Sequence, residues 1–156
     1  MNESSDLDRI DLKMLRALQR DGRISNADLA IEAGVSAATC HRRTQRLFEA
    51  GYLTGVRALA DPQKLDLGAL VIVGVVLDRS TPESFATFET AVRKLKFVLD
   101  CHLVAGDFDY FLKIRVRDMA DFNRLHGTQL IALPGVRQTR TFFVMKEVAD
   151  NRPLEF

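Results

Sequence analysis

Residues 34 to 47 read GVSAATCHRRTQRL, and they hold three arginines and one histidine without a single carboxylate. The glycine permits a sharp turn, and Ser36 is a residue type that caps the start of a helix. A helix that begins there places Cys40, Thr44 and Leu47 on one inner face with Phe48 beside them, because the spacings of the first three are four and three residues. The opposite face combines small residues at the helix start with basic residues along its length.

Two shorter helical patterns precede this stretch. Apolar residues fall at positions 7, 10, 14, 17 and 18, which is one face of a helix that Asp21-Gly22 ends. Ser25 followed by Asp28 is a variant of the capping box, in which the hydroxyl and the carboxylate would each accept from backbone N–H groups. We therefore expect a second helix over about 26 to 33. Two short helices joined by a glycine turn, the second of them basic, are typical of a helix-turn-helix.

The third helix supplies the candidate DNA contacts. They are Ser36, Ala37, Ala38, Thr39, His41, Arg42, Arg43, Gln45 and Arg46. The two alanines allow a close approach to base edges, and the threonine, histidine and glutamine are able to read edges by hydrogen bonding. The arginines suit phosphates, although an outward arginine also binds guanine in a bidentate manner. A solvated basic face without a partner is the alternative interpretation.

The chain changes character after Tyr52. Four apolar runs alternate with two helical patterns: strands at 69–77, 97–104, 110–116 and within 137–148, and helices from Thr81 to about Lys94 and from Asp118 to about Leu130. The run ALVIVGVVL at 69–77 is continuous and β-branched, which predicts a central strand covered on both faces. The order β-α-β-β-α-β is the ferredoxin-like arrangement of two helices on one face of an antiparallel sheet.

The predicted fold class is therefore α+β, with a three-helix helix-turn-helix domain followed by a ferredoxin-like domain. We expect the DNA-binding domain at 1–52, a linker or arm at 53–66, and the second domain at 67–156. An apolar sheet face that no helix covers is expected to pair with another copy of the chain.

The composition is that of a globular protein, and the sequence lacks the motifs of several other classes. The 156 residues are 47% hydrophobic and 28% charged, which is enough for a packed core. Acids at Glu3, Asp6 and Asp8 replace the basic start of a signal peptide, so we expect a cytoplasmic protein. The pairs Cys40-His41 and Cys101-His102 cannot chelate one ion, because adjacent side chains point in different directions. No phosphate loop, nucleophile elbow or metal spacing predicts an enzyme, although an enzyme with an appended DNA-binding domain remains the alternative.

Four long stretches resemble one family in the same order. They are LDRIDLKMLRALQRDGRISNADLA at 7–30, GVSAATCHRRTQRLFEAGYLTG at 34–55, CHLVAGDFDYFLKIRVRDM at 101–119, and LPGVRQTRTFFVMKEV at 133–148. With these motifs the chain resembles the Lrp/AsnC, or feast/famine, transcription regulators over its whole length. The resemblance implies a nucleoid-associated regulator that binds double-stranded DNA and responds to an amino acid such as leucine. It also implies homodimers that assemble into octamers or similar rings.

The stretch GDFDY at 106–110 has two interpretations. Glycine and aspartate are common turn residues, so the residues alone favour an ordinary hairpin turn. Alternatively, two acids that flank an exposed phenylalanine would meet the ammonium group of an amino acid, while backbone N–H groups meet its carboxylate. The resemblance implies this second interpretation, with Asp109 as the strongest candidate. The matching positions are Leu103, Gly106, Asp107, Phe108 and Asp109, with Thr139 and Thr141 as further candidates.

The sequence thus predicts a DNA-binding transcriptional regulator whose oligomer responds to a small effector. No cofactor is expected besides that effector. The alternative is an architectural protein that packages DNA with little dependence on sequence or ligand.

Overall fold

A computed structural model describes residues 7–156, and they form two compact units. One unit contains the described residues up to Leu59 together with Ala149–Phe156, and the other is Ala60–Val148. The division after Leu59 falls inside the segment 53–66 that the sequence proposes as a linker. Residues 53–61 form neither helix nor strand.

The first unit is built from three helices, α1 (Arg9–Arg20), α2 (Asn26–Ala33) and α3 (Ala37–Glu49). Their apolar faces meet in one core, which is the packing that the sequence predicts. The buried residues are Met14, Leu15, Ala17, Leu29, Ala30, Ala33, Cys40 and Leu47. Thr44 is half-buried on the inner face of α3, and its hydroxyl donates to the carbonyl of Cys40 at 2.9 Å.

Capping residues fix where these helices begin. The Ser36 hydroxyl accepts from the backbone N–H of Thr39 at 3.2 Å and so starts α3 as predicted. The Ser25 hydroxyl likewise accepts from the Asp28 N–H at 3.0 Å. The predicted role of the Asp28 carboxylate is wrong, because it accepts from the Ser25 hydroxyl at 2.6 Å instead of from a backbone group.

The C-terminal segment differs from the prediction, which assigned it to the second domain. Leu154 donates its backbone N–H to the Gln19 side chain at 2.8 Å, and Arg16 Nε donates to the Phe156 carbonyl oxygen at 2.9 Å. The Arg16 guanidinium also lies 5.4 Å from the centre of the Phe156 ring. These contacts attach Ala149–Phe156 to α1, and no sequence pattern within the segment indicates a partner so far away in the chain.

The second unit is the predicted βαββαβ domain. Its elements are β1 (Ala69–Leu77), α4 (Pro82–Val92), β2 (Val98–Leu103), β3 (Tyr110–Val116), α5 (Met119–Leu125) and β4 (Val136–Phe143). A π-helical turn at His126–Leu130 continues α5. The strands lie in the order β2-β3-β1-β4, and all neighbours are antiparallel. The ferredoxin-like fold is therefore confirmed.

The two faces of this sheet differ. On the helix-covered face Val71 lies opposite Ile114 and Val73 opposite Leu112, and all four are fully buried. The other face carries the alternate residues, such as the half-buried Ile72. The prediction that β1 is covered on both faces is therefore correct only in part, because neighbouring side chains and not helices shield this second face.

Several elements are shorter than predicted. Strand β2 spans Val98–Leu103 instead of 97–104. Strand β4 ends at Phe143 instead of continuing to 148, since Met145 is fully exposed and Val148 nearly so. Helix α4 ends at Val92, two residues before Lys94. Within residues 7–156 no helix is both long and apolar enough to span a membrane.

Candidate DNA-contacting and effector sites

The outward face of α3 is open along its length. Because Cys40 and Leu47 are buried against α1 and α2, the opposite side of the helix points to solvent. The exposed candidates are Ser36, Ala37, Ala38, His41, Arg42, Gln45 and Arg46. Thr39 is half-buried, and its hydroxyl accepts from the Ser36 hydroxyl at 3.0 Å. The start of α3 is thus small and unobstructed, and its middle carries histidine, arginine and glutamine.

A side-chain contact outside the predicted set joins the two helices of the motif. Asn26 at the start of α2 donates its amide to the carbonyl oxygen of Ala37 at 2.9 Å. Because this bond ties the N-terminus of α2 to the first residue of α3, it helps fix the angle between the helices. The only sequence feature that points to it is an amide side chain beside the predicted cap.

Two of the predicted DNA-contacting arginines form ion pairs with acids of the first unit. Arg43 Nη1 lies 2.7 Å from Asp8 Oδ2 and 2.9 Å from Asp11 Oδ1, and its side chain is only 20% exposed. Arg46 Nη2 bonds to Asp11 Oδ2. Although 34–47 contains no carboxylate, two of its three arginines have acidic partners, which α1 and its cap supply.

These ion pairs have electrostatic consequences. The backbone N–H of Asp11 and the Arg43 guanidinium stabilise the charged form of Asp8, so they lower the pKa of that carboxyl. Hydrogen bonds to Asp8 and Asp11 raise the pKa of Arg43. Asp11 itself is fully buried, and in the described part of the chain no other charged residue is.

Asp11 is not among the site residues predicted from the sequence, although a sequence feature points to it. Positions 7, 11, 14 and 18 share one helix face, so an acid there interrupts the apolar stripe of α1. A buried acid requires a cationic partner, and α3 carries unbalanced cations. Together these two irregularities indicate the pairing.

The loop between β2 and β3 is anchored through Phe108. The predicted exposure of this ring is wrong, because it is half-buried over Gly74 on the helix-free face. Its ring centre lies 5.2 Å from that of Phe111 and 6.4 Å from that of Phe142. The Arg140 guanidinium lies 5.7 Å from the Phe108 ring centre. The loop is therefore fixed to the sheet by an aromatic cluster with a cation at its edge.

The carboxylate of Asp109 has a structural partner. Its Oδ2 accepts from the backbone N–H of Leu77 at 2.7 Å, and its backbone N–H donates to the Val75 carbonyl at 2.9 Å. Asp109 thus ties the loop to the end of β1. Asp107 is exposed, and Gly106 has φ +152°, a conformation that side chains disfavour.

The remaining effector candidates do not gather around Phe108. Thr139 and Thr141 lie opposite Val75 and Val73, so they point to the helix-covered face. The Thr139 hydroxyl is 2.8 Å from Nε2 of His126 in the π-helical turn. Leu103 is 55% exposed at the end of β2. The structure therefore brings Phe108 and Asp109 together with the end of β1 and places the two threonines on the other side of the sheet.

Metal coordination finds no support in residues 7–156. No group of three His, Cys, Asp or Glu side chains in that range is arranged to hold an ion.

A helix-turn-helix unit followed by a ferredoxin-like unit is the organisation of a DNA-binding protein with a second, separate domain. Residues 7–47 match the AsnC-type helix-turn-helix domain, and residues 70–154 match the Lrp/AsnC ligand binding domain. The chain belongs to the Lrp/AsnC family of transcriptional regulators.

Individual relatives cover nearly the whole chain. It is 48% identical to the leucine-responsive regulatory protein of Escherichia coli K12, over 96% of this chain and 91% of that protein. It is 50% identical to the leucine-responsive regulatory protein of Haemophilus influenzae, over 93% of this chain and 87% of that protein. These relatives are regulators and not enzymes, which agrees with the prediction that the chain has no enzymatic function.

Solved structures show the same fold. A transcriptional regulator of Neisseria meningitidis in complex with L-methionine superposes with a TM-score of 0.90 at 32% identity, and the match covers 96% of each chain. An AsnC family regulator of Agrobacterium tumefaciens gives a TM-score of 0.90 at 31% identity, covering 96% of this chain and 97% of that one. The predicted family, fold class and function as an effector-responsive DNA-binding regulator are confirmed.

Proposed function

We propose that this regulator binds double-stranded DNA through the exposed face of α3 and that its homo-oligomer responds to an amino acid. The observation that carries the proposal is the division of α3 into two faces. Cys40 and Leu47 are fully buried, while His41, Arg42 and Gln45 are exposed with no acid between them. Such a helix fits the major groove of B-DNA, which admits one helix and displays base edges.

The residues of this face suit different contacts. Ala37 and Ala38 let the helix start approach the bases, and an alanine methyl group packs against the thymine methyl. His41 and Gln45 are positioned to hydrogen-bond to base edges. Arg42 is the arginine of α3 for which we propose a phosphate contact, because Arg43 is bound to Asp8 and Asp11.

Specific binding requires more than one such helix. A single helix buries too little surface, so we propose dimers that read two half-sites about one helical turn apart. The helix-free face of the sheet suits self-association, since it exposes Phe142 and leaves Ile72 and Phe111 half-buried. We further propose that dimers assemble into octamers or similar rings and that the protein acts on the nucleoid.

We propose that the effector is an amino acid and that it binds at the loop 106–109. Support comes from the N. meningitidis relative, whose solved complex holds L-methionine. Asp107 is exposed and able to meet an ammonium group, while Asp109 holds the loop through the N–H of Leu77. An effector at an interface between copies would shift the balance between assemblies and so change which spaced half-sites are bound together.

The test combines thermal stability, mass and footprinting. Each of the twenty amino acids is added separately to purified protein. The amino acid that is the effector should stabilise the fold by about 2.7 kcal/mol when its concentration is one hundred times its Kd. Mass measurement in solution should show an oligomer whose size distribution that amino acid changes. A footprint on DNA should be discrete and should shift on addition of the same compound.

Two variants separate the acids of the loop. Asp107→Asn is expected to abolish the stabilisation by the amino acid while leaving the unliganded protein equally stable. Asp109→Asn is expected to lower the melting temperature without any ligand, because it weakens the bond to Leu77. A featureless footprint that ignores all twenty amino acids would reject the proposal and indicate an architectural packaging protein.

A further inference from the structure

Asp11 lies in the first turn of α1 on the side that contacts α3, and all of its side chain is removed from solvent. Its Oδ1 accepts from Arg43 Nη1 at 2.9 Å, and its Oδ2 accepts from Arg46 Nη2 and from the backbone N–H of Asp8 at 3.1 Å. Both carboxylate oxygens are thus bonded. A buried carboxylate with this many charge-assisted bonds is held in one orientation, since any rotation would break bonds that compensate its charge.

The two arginines occupy neighbouring turns of the same helix. Arg43 and Arg46 are three residues apart, so they emerge on the side of α3 that faces α1. The pairing spans 32 residues to Arg43 and 35 residues to Arg46 in sequence. Asp11 therefore connects the first helix of the motif to two successive turns of the helix that presents His41, Arg42 and Gln45 to solvent.

Two fixed points on one side of a helix restrain its rotation about its own axis. Apolar contacts such as those of Cys40 and Leu47 are non-directional, so by themselves they resist sliding better than rolling. Hydrogen bonds between a guanidinium and a carboxylate are directional. A functional side chain needs its orientation held to within roughly 10–20°. Rotation of α3 about its own axis by that angle would misplace every outward residue.

We infer that Asp11 is a positioning residue for DNA recognition, which sets the rotation of α3 by holding Arg43 and Arg46. The inference rests on the proposed function of the α3 face. If Asp11 has this role, Arg43 contributes to specificity through its bond to Asp11 and does not contact phosphate. The acid that interrupts the apolar stripe of α1 is there for recognition as well as for folding.

The experiment compares two duplexes. One is selected from a random library by the wild-type protein, and the other is a scrambled sequence of equal length and composition. Dissociation constants are measured by fluorescence anisotropy over a range of salt concentrations for wild type, Asp11→Asn, Arg43→Gln and the double variant. Circular dichroism establishes that each variant is folded under the conditions used.

Asp11→Asn and Arg43→Gln are each expected to lower the preference for the selected duplex about tenfold, which is the discrimination lost with one bidentate base contact. Binding to the scrambled duplex and the salt dependence should stay as in wild type. The double variant should lose no more than the larger single loss, because both changes remove the same contact.

Two results would overturn the inference. One is a preference that stays at the wild-type value in the folded single variants. The other is an Arg43→Gln protein that weakens on both duplexes and whose salt slope falls by about 0.9, as for a phosphate contact. If Asp11→Asn fails to fold, Arg43→Gln alone tests the inference. It should fold, since it leaves Asp11 bonded to Arg46 and to the Asp8 N–H. A wild type without preference for any duplex would instead reject the proposed function itself.

Discussion

Replacing Gly74 by alanine is expected to destabilise the second unit, because the Phe108 ring occupies the space of a side chain. A Cβ atom built on Gly74 would lie 2.6 Å from Cδ1 of that ring and 2.7 Å from Cε1. Ordinary carbon contacts are about 3.5–4.0 Å, so the ring would have to move by roughly 1 Å. Phe111 and Phe142 pack against the same ring and oppose that movement.

The size of the effect follows from two opposing contributions. Overpacking of this kind costs about 1–3 kcal/mol, whereas replacing glycine by alanine within a strand recovers about 0.5–1 kcal/mol. Gly74→Ala should therefore destabilise the second unit by about 1 kcal/mol, and by no more than about 2.5 kcal/mol. For a unit of this length each kcal/mol lowers the melting temperature by about 4–8 °C.

Calorimetry or circular dichroism on the full chain provides the assay, with Gly127→Ala as the matched control. Apart from its chain neighbours and the backbone of its own helix, no described atom lies within 4 Å of a Cβ at Gly127, and this residue has helical backbone. The control should be neutral or slightly stabilised. Phe108→Ala should lower the free energy of unfolding less in the Gly74→Ala protein than in wild type, since removing the ring also removes the clash with the alanine. A Gly74→Ala protein as stable as the control would refute the packing argument.

Three further predictions concern stability. Ser36→Ala should destabilise the first unit by about 1 kcal/mol in thermal melts through loss of its helix cap, and Ser36→Asp should retain the cap. Tyr110 is buried and donates to Glu89 at 2.9 Å, which raises its pKa, so stability should fall as pH rises above its ordinary value of about 10. Tyr110→Phe should remove that alkaline loss from a plot of melting temperature against pH. The lowered pKa of Asp8 means that its contribution is present above about pH 4 and is lost as pH falls below it. Asp8→Asn should flatten this acid limb, and an unchanged limb would exclude the ion pair with Arg43.

Elements defined by local chemistry were predictable. The serine and threonine caps begin α3 and α4, and the β-branched run at 69–77 is β1 at its observed bounds. These features depend on neighbouring residues, so a single sequence contains the information. The ferredoxin-like order followed because the alternation of strands and helices leaves few ways to cover one sheet face.

Several features that depend on packing were not predicted. The partners of Arg43 lie more than thirty residues away on another helix, and the position of the Phe108 ring depends on the missing side chain of Gly74. Thr139 and Phe108 were grouped into one effector site, yet strand register places them on opposite faces of the sheet. The attachment of the C-terminal segment to α1 is likewise a tertiary contact.

DNA contact through the outward face of α3 is tested most directly by the salt dependence of Arg42→Gln. Arg42 is exposed, lies beside His41 on that face and is not one of the two arginines that bond to Asp11. The wild-type protein should bind duplex DNA tightly at low salt and lose affinity steeply as salt rises. Arg42→Gln should weaken binding to every sequence and reduce the slope of log K against log salt by about 0.9 for each copy in contact. A variant with the wild-type slope and affinity, or a wild type that ignores DNA at low salt, would contradict the assignment.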